Sequence, residues 1–110
     1  MAGKFEIKKS SDDQFFFNLK AGNGEIILTS EMYAAKSGAE RGIESTRKNA
    51  PLDAQYARKT TTGGQHYFAL TAANSESIGK SETYTSASEM ENGIESVKND
   101  APDAEIDDLT

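Results

Sequence analysis

From Lys4 to Lys9, Phe5 and Ile7 alternate with charged residues, the period of a half-buried strand. Ser10-Ser11-Asp12-Asp13 breaks the pattern as a turn. The aromatic-rich stretch Gln14–Lys20 predicts a second strand, and Glu25–Ser30 a third. Between them, Ala21-Gly22-Asn23-Gly24 suits a hairpin turn, because glycine and asparagine accept positive φ. The period then changes. Ala39, Ile43 and Thr46, with Lys36 and Ala50 at the ends, share one face of an amphipathic helix. The same order returns: strands over residues 56–61, 65–71 and 76–81, then a stripe of Met90, Ile94 and Val97 flanked by Ala87 and Ala101. Ser86 and Glu89 have the spacing of a capping box. Pro51 and Pro102 lie beyond the helix ends, where a stop belongs.

This return is a duplication. Shifted by 51 residues without a gap, the chain matches itself at 19 of 51 positions. FFFNLKAGNGEIILTSEMY (15–33) lies over HYFALTAANSESIGKSETY (66–84), and SGAERGIESTRKNAP (37–51) over SEMENGIESVKNDAP (88–102). Two copies are too few for a solenoid and instead imply a pseudo-twofold domain, like a homodimer fused into one chain. Gly42 and Gly93 recur in mid-helix, where glycine costs about 1 kcal/mol relative to alanine. Their recurrence predicts close approach of each helix to the sheet or to the other helix.

These blocks, Phe15–Tyr33, Ser37–Pro51, Phe68–Tyr84 and Ser88–Pro102, resemble the small bacterial YegP-like family. The resemblance covers nearly the whole chain, and the family brings no established activity with it. It implies tandem βββαβ units in one α+β domain, residues 1–110, with repeats of about 4–55 and 56–106 and an acidic C-terminal tail. On that resemblance the two repeats should form one pseudo-twofold antiparallel sheet, with both helices on one face and the C-terminal strands exchanged. Two departures, Arg58 in place of Ile7 and Gly79 in place of Leu28, interrupt the apolar pattern of the second half-sheet. By register, Ala54–Thr60 serves as the last strand of one copy and the first of the next. Ala104–Leu109 is then a last strand that lies near Lys4–Lys9 and closes the symmetry.

Strict alternation turns Phe5, Ile7, Phe17, Leu19, Ile27, Tyr56, Phe68, Leu70 and Ile78 toward the helices. The other face then carries Lys8, Phe16, Lys20, Ile26 and Leu28 from the first copy, and Lys59 and Tyr67 from the second. Phe16, Ile26 and Leu28 should form an apolar spot rimmed by Lys8 and Lys20, a candidate docking surface. Glu31 and Tyr33 recur as Glu82 and Tyr84 where the third strand leaves for the helix. They either tie strand end to helix start or form a paired site.

Charge and composition narrow the possibilities. Lys and Arg number 12 against 18 acids, a net −6. Residues 1–55 balance at eight basic and eight acidic groups, so the excess lies in the second half, with five acids from Asp100 onward. This balance argues against duplex DNA binding. The absence of cysteine excludes disulfides, thiolate metal sites and Cys nucleophiles, and a single histidine, His66, excludes a multi-His site within the chain. No cofactor or metal is expected. MAGKFEIKK lacks the apolar core of a secretory signal, and no apolar run could span a bilayer, so the expected location is the cytoplasm.

His66 replaces Phe15 of the other copy and fits a buried or edge position better than a catalytic one. The pairs Asp12-Asp13 and Asp107-Asp108 suit a solvated turn and tail. AGNGE at 21–25 joins two strands rather than opening a helix, which rules against a phosphate loop. The reading favoured is a monomeric, non-enzymatic binding module with a protein partner. The alternative is single-stranded nucleic acid on the open sheet face, which the net charge disfavours. A second alternative is a small-molecule or enzymatic site near Glu31, Tyr33, Glu82 and Tyr84.

Overall fold

The alternation around Phe5 and Ile7 forms β1 (Lys4–Lys9) in the computed structural model, which describes residues 3–110. Met1 and Ala2, which begin the segment expected to carry no secretory signal, lie outside the described residues. The chain continues through β2 (Phe15–Lys20), β3 (Ile26–Ser30) and α1 (Lys36–Asn49). After a 3-10 turn at Asp53–Gln55 come β4 (Tyr56–Thr60), β5 (His66–Thr71), β6 (Ser77–Lys80), α2 (Ala87–Asp100) and β7 (Glu105–Asp108). Among the described residues, seven strands make one sheet in the order β4-β5-β6-β3-β2-β1-β7. Both helices cover one face, and each packs on strands of both repeats. The pseudo-twofold axis passes between β3 and β6, which pair antiparallel with Thr29 opposite Lys80.

The core is what the two periods predict. Phe5, Phe17, Leu19, Ile43, Phe68, Leu70, Ile94 and Val97 are fully buried between sheet and helices. Phe5 meets Phe17, and Tyr56 meets Phe68, edge-on at 5.7 Å in both repeats. The Tyr56 hydroxyl donates to the Ala50 carbonyl at the end of α1, 2.7 Å away, and burial pushes its pKa up. The mid-helix glycines have a clear cause. A β-carbon on Gly42 would stand 2.5 Å from the Tyr33 hydroxyl and 2.8 Å from the Phe17 ring. One on Gly93 would stand 2.5 Å from the Tyr84 hydroxyl. The Ser86 side chain caps α2 by accepting from the Glu89 N–H at 3.2 Å.

Strict alternation fails at one step in each repeat. Leu19 pairs with Leu28 but Lys20 pairs with Ile26, so Ile27 is an extra residue on β3. Likewise Leu70 pairs with Gly79 and Thr71 with Ser77, which makes Ile78 extra on β6. A bulge of this kind resets the alternation by one residue. Leu28 therefore turns into the core, fully buried, and does not belong to the open face where alternation had placed it. Arg58 does not break the half-sheet. It stands opposite Phe68, and its guanidinium reaches Glu91 on α2 at 2.5 and 3.1 Å and Asp53 at 2.9 Å.

The sheet is mixed rather than wholly antiparallel, because β7 runs parallel to β1. Symmetry explains this. Helix α1 delivers the chain to the outer edge of the second repeat, where β4 forms. Helix α2 delivers it to the equivalent edge of the first repeat, where β1 already lies. β7 takes the next place out and runs in β1's direction. The acidic end is thus a paired strand rather than a solvated tail. Asp107 lies 3.8 Å from Lys4, Asp108 pairs with Lys36, and Leu109 donates its N–H to the Ile7 carbonyl at 2.9 Å.

Lys36, helped by the hydroxyl and N–H of Thr110, holds the Asp108 carboxyl down at about 2. A carboxylate depressed in the folded state stabilises fully above its unfolded pKa, about 3.9, and that contribution is lost as pH falls through the folded value. In an acid titration followed by ¹H–¹⁵N NMR, the β7 amides should therefore show a step centred near pH 2. In Lys36→Ala that step should move up toward the ordinary carboxylate range. A wild-type step unchanged by that substitution would disprove the tether.

Candidate functional site

The register places one set of side chains on the face away from the helices. Glu6, Asn18, Thr29, Lys80 and Ala69 follow one another across the pairs β1–β2, β2–β3, β3–β6 and β5–β6. Lys8 stands opposite Phe16 in β1–β2, and Lys59 opposite Tyr67 in β4–β5. These are the same two positions of the repeat, so two lysine–aromatic pairs are related by the pseudo-twofold axis. Phe16 and Tyr67 are half-buried, while Lys59 and Lys80 are exposed.

The expected apolar spot is not there. Leu28 is in the core. Ile26 lies opposite Lys20, four residues along β2 from Phe16, or about 13 Å. Polar groups occupy the ground between them. Glu6, only 8% exposed, lies 3.1 Å from the Lys20 ammonium and 3.6 Å from that of Lys8. Lys8 also donates to the Asn18 side chain at 3.0 Å, and Asn18 to the Thr29 hydroxyl at 3.0 Å. Burial pushes the Glu6 carboxyl up, but Lys20 and Lys8 outweigh it and hold the pKa below the ordinary value. The second repeat has Ala57, Ala69 and Thr71 where the first has Glu6, Asn18 and Lys20. Among the described residues, Lys59 and Lys80 accordingly make no ion pair.

A second feature lies at the boundary of the repeats, on the helix side. One cleft, of about 510 Å³, is lined by Glu31, Tyr33, Gly42 and Ser45 of the first repeat and by Asn74, Glu76 and Ile78 of the second. Another, of about 220 Å³, is lined by Tyr84, Gly93 and Ser96 of the second repeat and by Asn23, Glu25 and Ile27 of the first. The 51-residue shift carries one lining onto the other. Glu82 stands beside Tyr84 and Glu25 in the adjoining depression. Glu89 replaces Gly38 and narrows the second cleft.

Some of these repeated residues have local structural duties. Asn23 and Asn74 close their turns by accepting from the N–H of Glu25 and Glu76, at 3.0 and 3.1 Å. Tyr33 stacks on Phe17, ring centroids 6.5 Å apart. Others do not. Among the described residues, the carboxyls of Glu25, Glu76 and Glu82 and the two tyrosine hydroxyls make no hydrogen bond to the protein, and Glu31 accepts one from Ser77 at 3.1 Å. Burial raises the pKa of both tyrosines. Glu31 adds to the rise at Tyr33, and Glu82 and Glu25 add to it at Tyr84. The two clefts thus present a phenol, a serine hydroxyl and carboxylates at matching positions. Glu31, Tyr33, Glu82 and Tyr84 stand out in the sequence, but the residues facing them come from the other repeat. Only the topology brings those together.

His66 is half-buried at the start of β5, where its backbone bridges Tyr84. No group of three or more His, Asp or Glu side chains among the described residues could hold a metal ion. None of their helices is long and apolar enough to cross a membrane.

A family model, the domain of unknown function DUF1508, matches residues 10–56 and again 62–108. A UPF0339 protein from Shewanella oneidensis is 51% identical over 110 residues, which span all of both chains. The UPF0339 protein YegP of Escherichia coli K12 is 52% identical, again over the full length of both. The solution NMR structure of a UPF0339 protein from Shewanella oneidensis matches all of this chain and 93% of its own, with a TM-score of 0.94. That of the protein of unknown function yegP from E. coli matches all of this chain and 95% of its own, with a TM-score of 0.95.

Proposed function

The chain belongs to the DUF1508 family as a tandem of two such domains, and we propose that it is a binding module whose twin clefts take a protein partner. The observation that carries this reading is the composition of the clefts. Each is built from both repeats. Their matching residues include Glu25 and Glu76, and Ser45 and Ser96, which duplication has kept identical although the carboxylates bond to nothing else in the fold. A pair of equivalent sites favours a partner that engages both, because the second contact then forms at high effective concentration.

The test blocks each cleft with a bulky side chain, Ser45→Arg or Ser96→Arg, and confirms the fold by circular dichroism. Immobilised wild type is used to capture and identify a partner from cell extract, and purified partner is then titrated against each variant. Either block should weaken binding by about tenfold or more, and the double variant should abolish it. Lys48→Glu, on an exposed part of α1, should bind as wild type does. A partner bound equally by the doubly blocked protein would overturn the proposal.

A further inference from the structure

We infer that the open sheet face binds single-stranded nucleic acid, with Phe16 and Tyr67 stacking bases and Lys8, Lys59 and Lys80 holding phosphates. Three observations on that face carry the inference, and it stands apart from the clefts on the other side of the sheet.

The first is the division of charge. The strand register puts Lys4, Lys8, Lys20, Lys59 and Lys80 on the open face, against Glu6, Glu105 and Asp107. That is a net +2 from the strand residues, or +1 with the Glu31 carboxyl bonded to Ser77, against −6 for the whole chain. The whole-chain charge therefore gives the wrong sign for this face. The strands β4, β5 and β6 place no acid of their own on it, and the Glu31 carboxyl reaches their half only at Ser77, 3.1 Å away.

The second is the pairing of aromatic and base. Each half-buried ring has a lysine directly across the ladder, Phe16 with Lys8 and Tyr67 with Lys59. A ring on a strand beside an ammonium group is what a base-stacking site requires, since every base has a face to stack and a phosphate beside it.

The third is the path between the pairs. Phe16 and Tyr67 are separated by three strand spacings and four residues, a diagonal of about 20 Å. Thr29 and Lys80, opposite each other on the axis, stand at its midpoint. A single strand laid along that diagonal meets a ring and a lysine, then Lys80, then the second ring and lysine. Glu105 and Asp107, on β7 at the far edge, lie off this line.

The test is fluorescence anisotropy of labelled twelve-nucleotide oligo(dT) and oligo(U) with the full chain. With about three phosphate contacts, affinity should fall roughly twentyfold between about 50 and 200 mM salt. Phe16→Ala and Tyr67→Ala should each weaken binding about tenfold at constant salt. Lys80→Glu, an exposed change that leaves the core alone, should weaken it at least as much. Heparin and phosphatidylglycerol vesicles, which offer anions without bases, should not distinguish Phe16→Ala from wild type. Absence of binding at low salt would overturn the inference. So would equal affinity of wild type and the two alanine variants for the oligonucleotides.

Discussion

Gly79→Ala should destabilise the protein by about 3 kcal/mol, although it adds a single methyl group. A β-carbon on Gly79 would stand 2.5 Å from the Thr29 carbonyl oxygen and 3.0 Å from the Ser30 α-carbon. Both are backbone atoms of β3, the strand across the pseudo-twofold axis. A flexible side chain could swing aside, but here the two central strands must separate. This seam, at Thr29–Lys80 and Ser30–Gly79, is also where the two half-sheets join. Overpacking ordinarily costs about 1–3 kcal/mol, and the upper end is expected where only backbone can yield. Gly79→Leu, which would make the second repeat match Leu28 of the first, should be worse still. The control is Gly63→Ala, where the nearest atom to a new β-carbon is the Thr61 hydroxyl at 3.8 Å. That change should be neutral or slightly stabilising. Urea unfolding read by circular dichroism gives both values. If Gly79→Ala and Gly63→Ala had the same midpoint, the close approach at the axis would be refuted.

The same glycine shows where the sequence is legible and where it is not. Comparison of the repeats singles out Gly79 as a departure from Leu28 but gives no reason for it. The reason lies across the axis, at Thr29, 50 residues away in sequence. The strands, the helices and the helix-facing core can be read because period 2 and period 3.6 are local properties. The bulges cannot. Ile26-Ile27-Leu28 is uniformly apolar, so nothing in it marks the residue that falls out of alternation, and the apolar spot built on Leu28 fails for that reason. The candidate sites divide along the same line. Glu31, Tyr33, Glu82 and Tyr84 can be found by self-comparison. Glu25, Ser45, Glu76 and Ser96 recur as plainly, but they gain meaning only when each turn is seen to face the other repeat's helix. Lys8 and Lys59 are identical in sequence and unlike in surroundings. Glu6 ties down the first, while Ala57 leaves the second open.

Removal of β7 by truncation after Asp103 should lower the stability by about 3 kcal/mol, which for a chain of this size is a fall in Tm of roughly 15 °C. The strand looks dispensable, because it is short, at the sheet edge and largely exposed. Its attachments say otherwise. It supplies the parallel ladder along Lys4–Ile7, and the segment entering it buries Ala104 almost completely. The Ala104 carbonyl accepts from the Arg47 guanidinium on α1 at 2.6 Å, and the same guanidinium lies 5.6 Å from the centre of the Phe5 ring. Truncation would strip these contacts and open the edge of β1, where Phe5 and Ile7 are now buried. The exposed pairs Lys4–Asp107 and Lys36–Asp108 should contribute less, since solvent screens such ion pairs. Lys36→Ala should therefore reproduce only a small part of the truncation's effect. The two measured side by side separate the backbone ladder from the charges. If Lys36→Ala destabilised as much as the loss of the whole strand, the charges rather than the ladder would be holding the second repeat's last strand to the first.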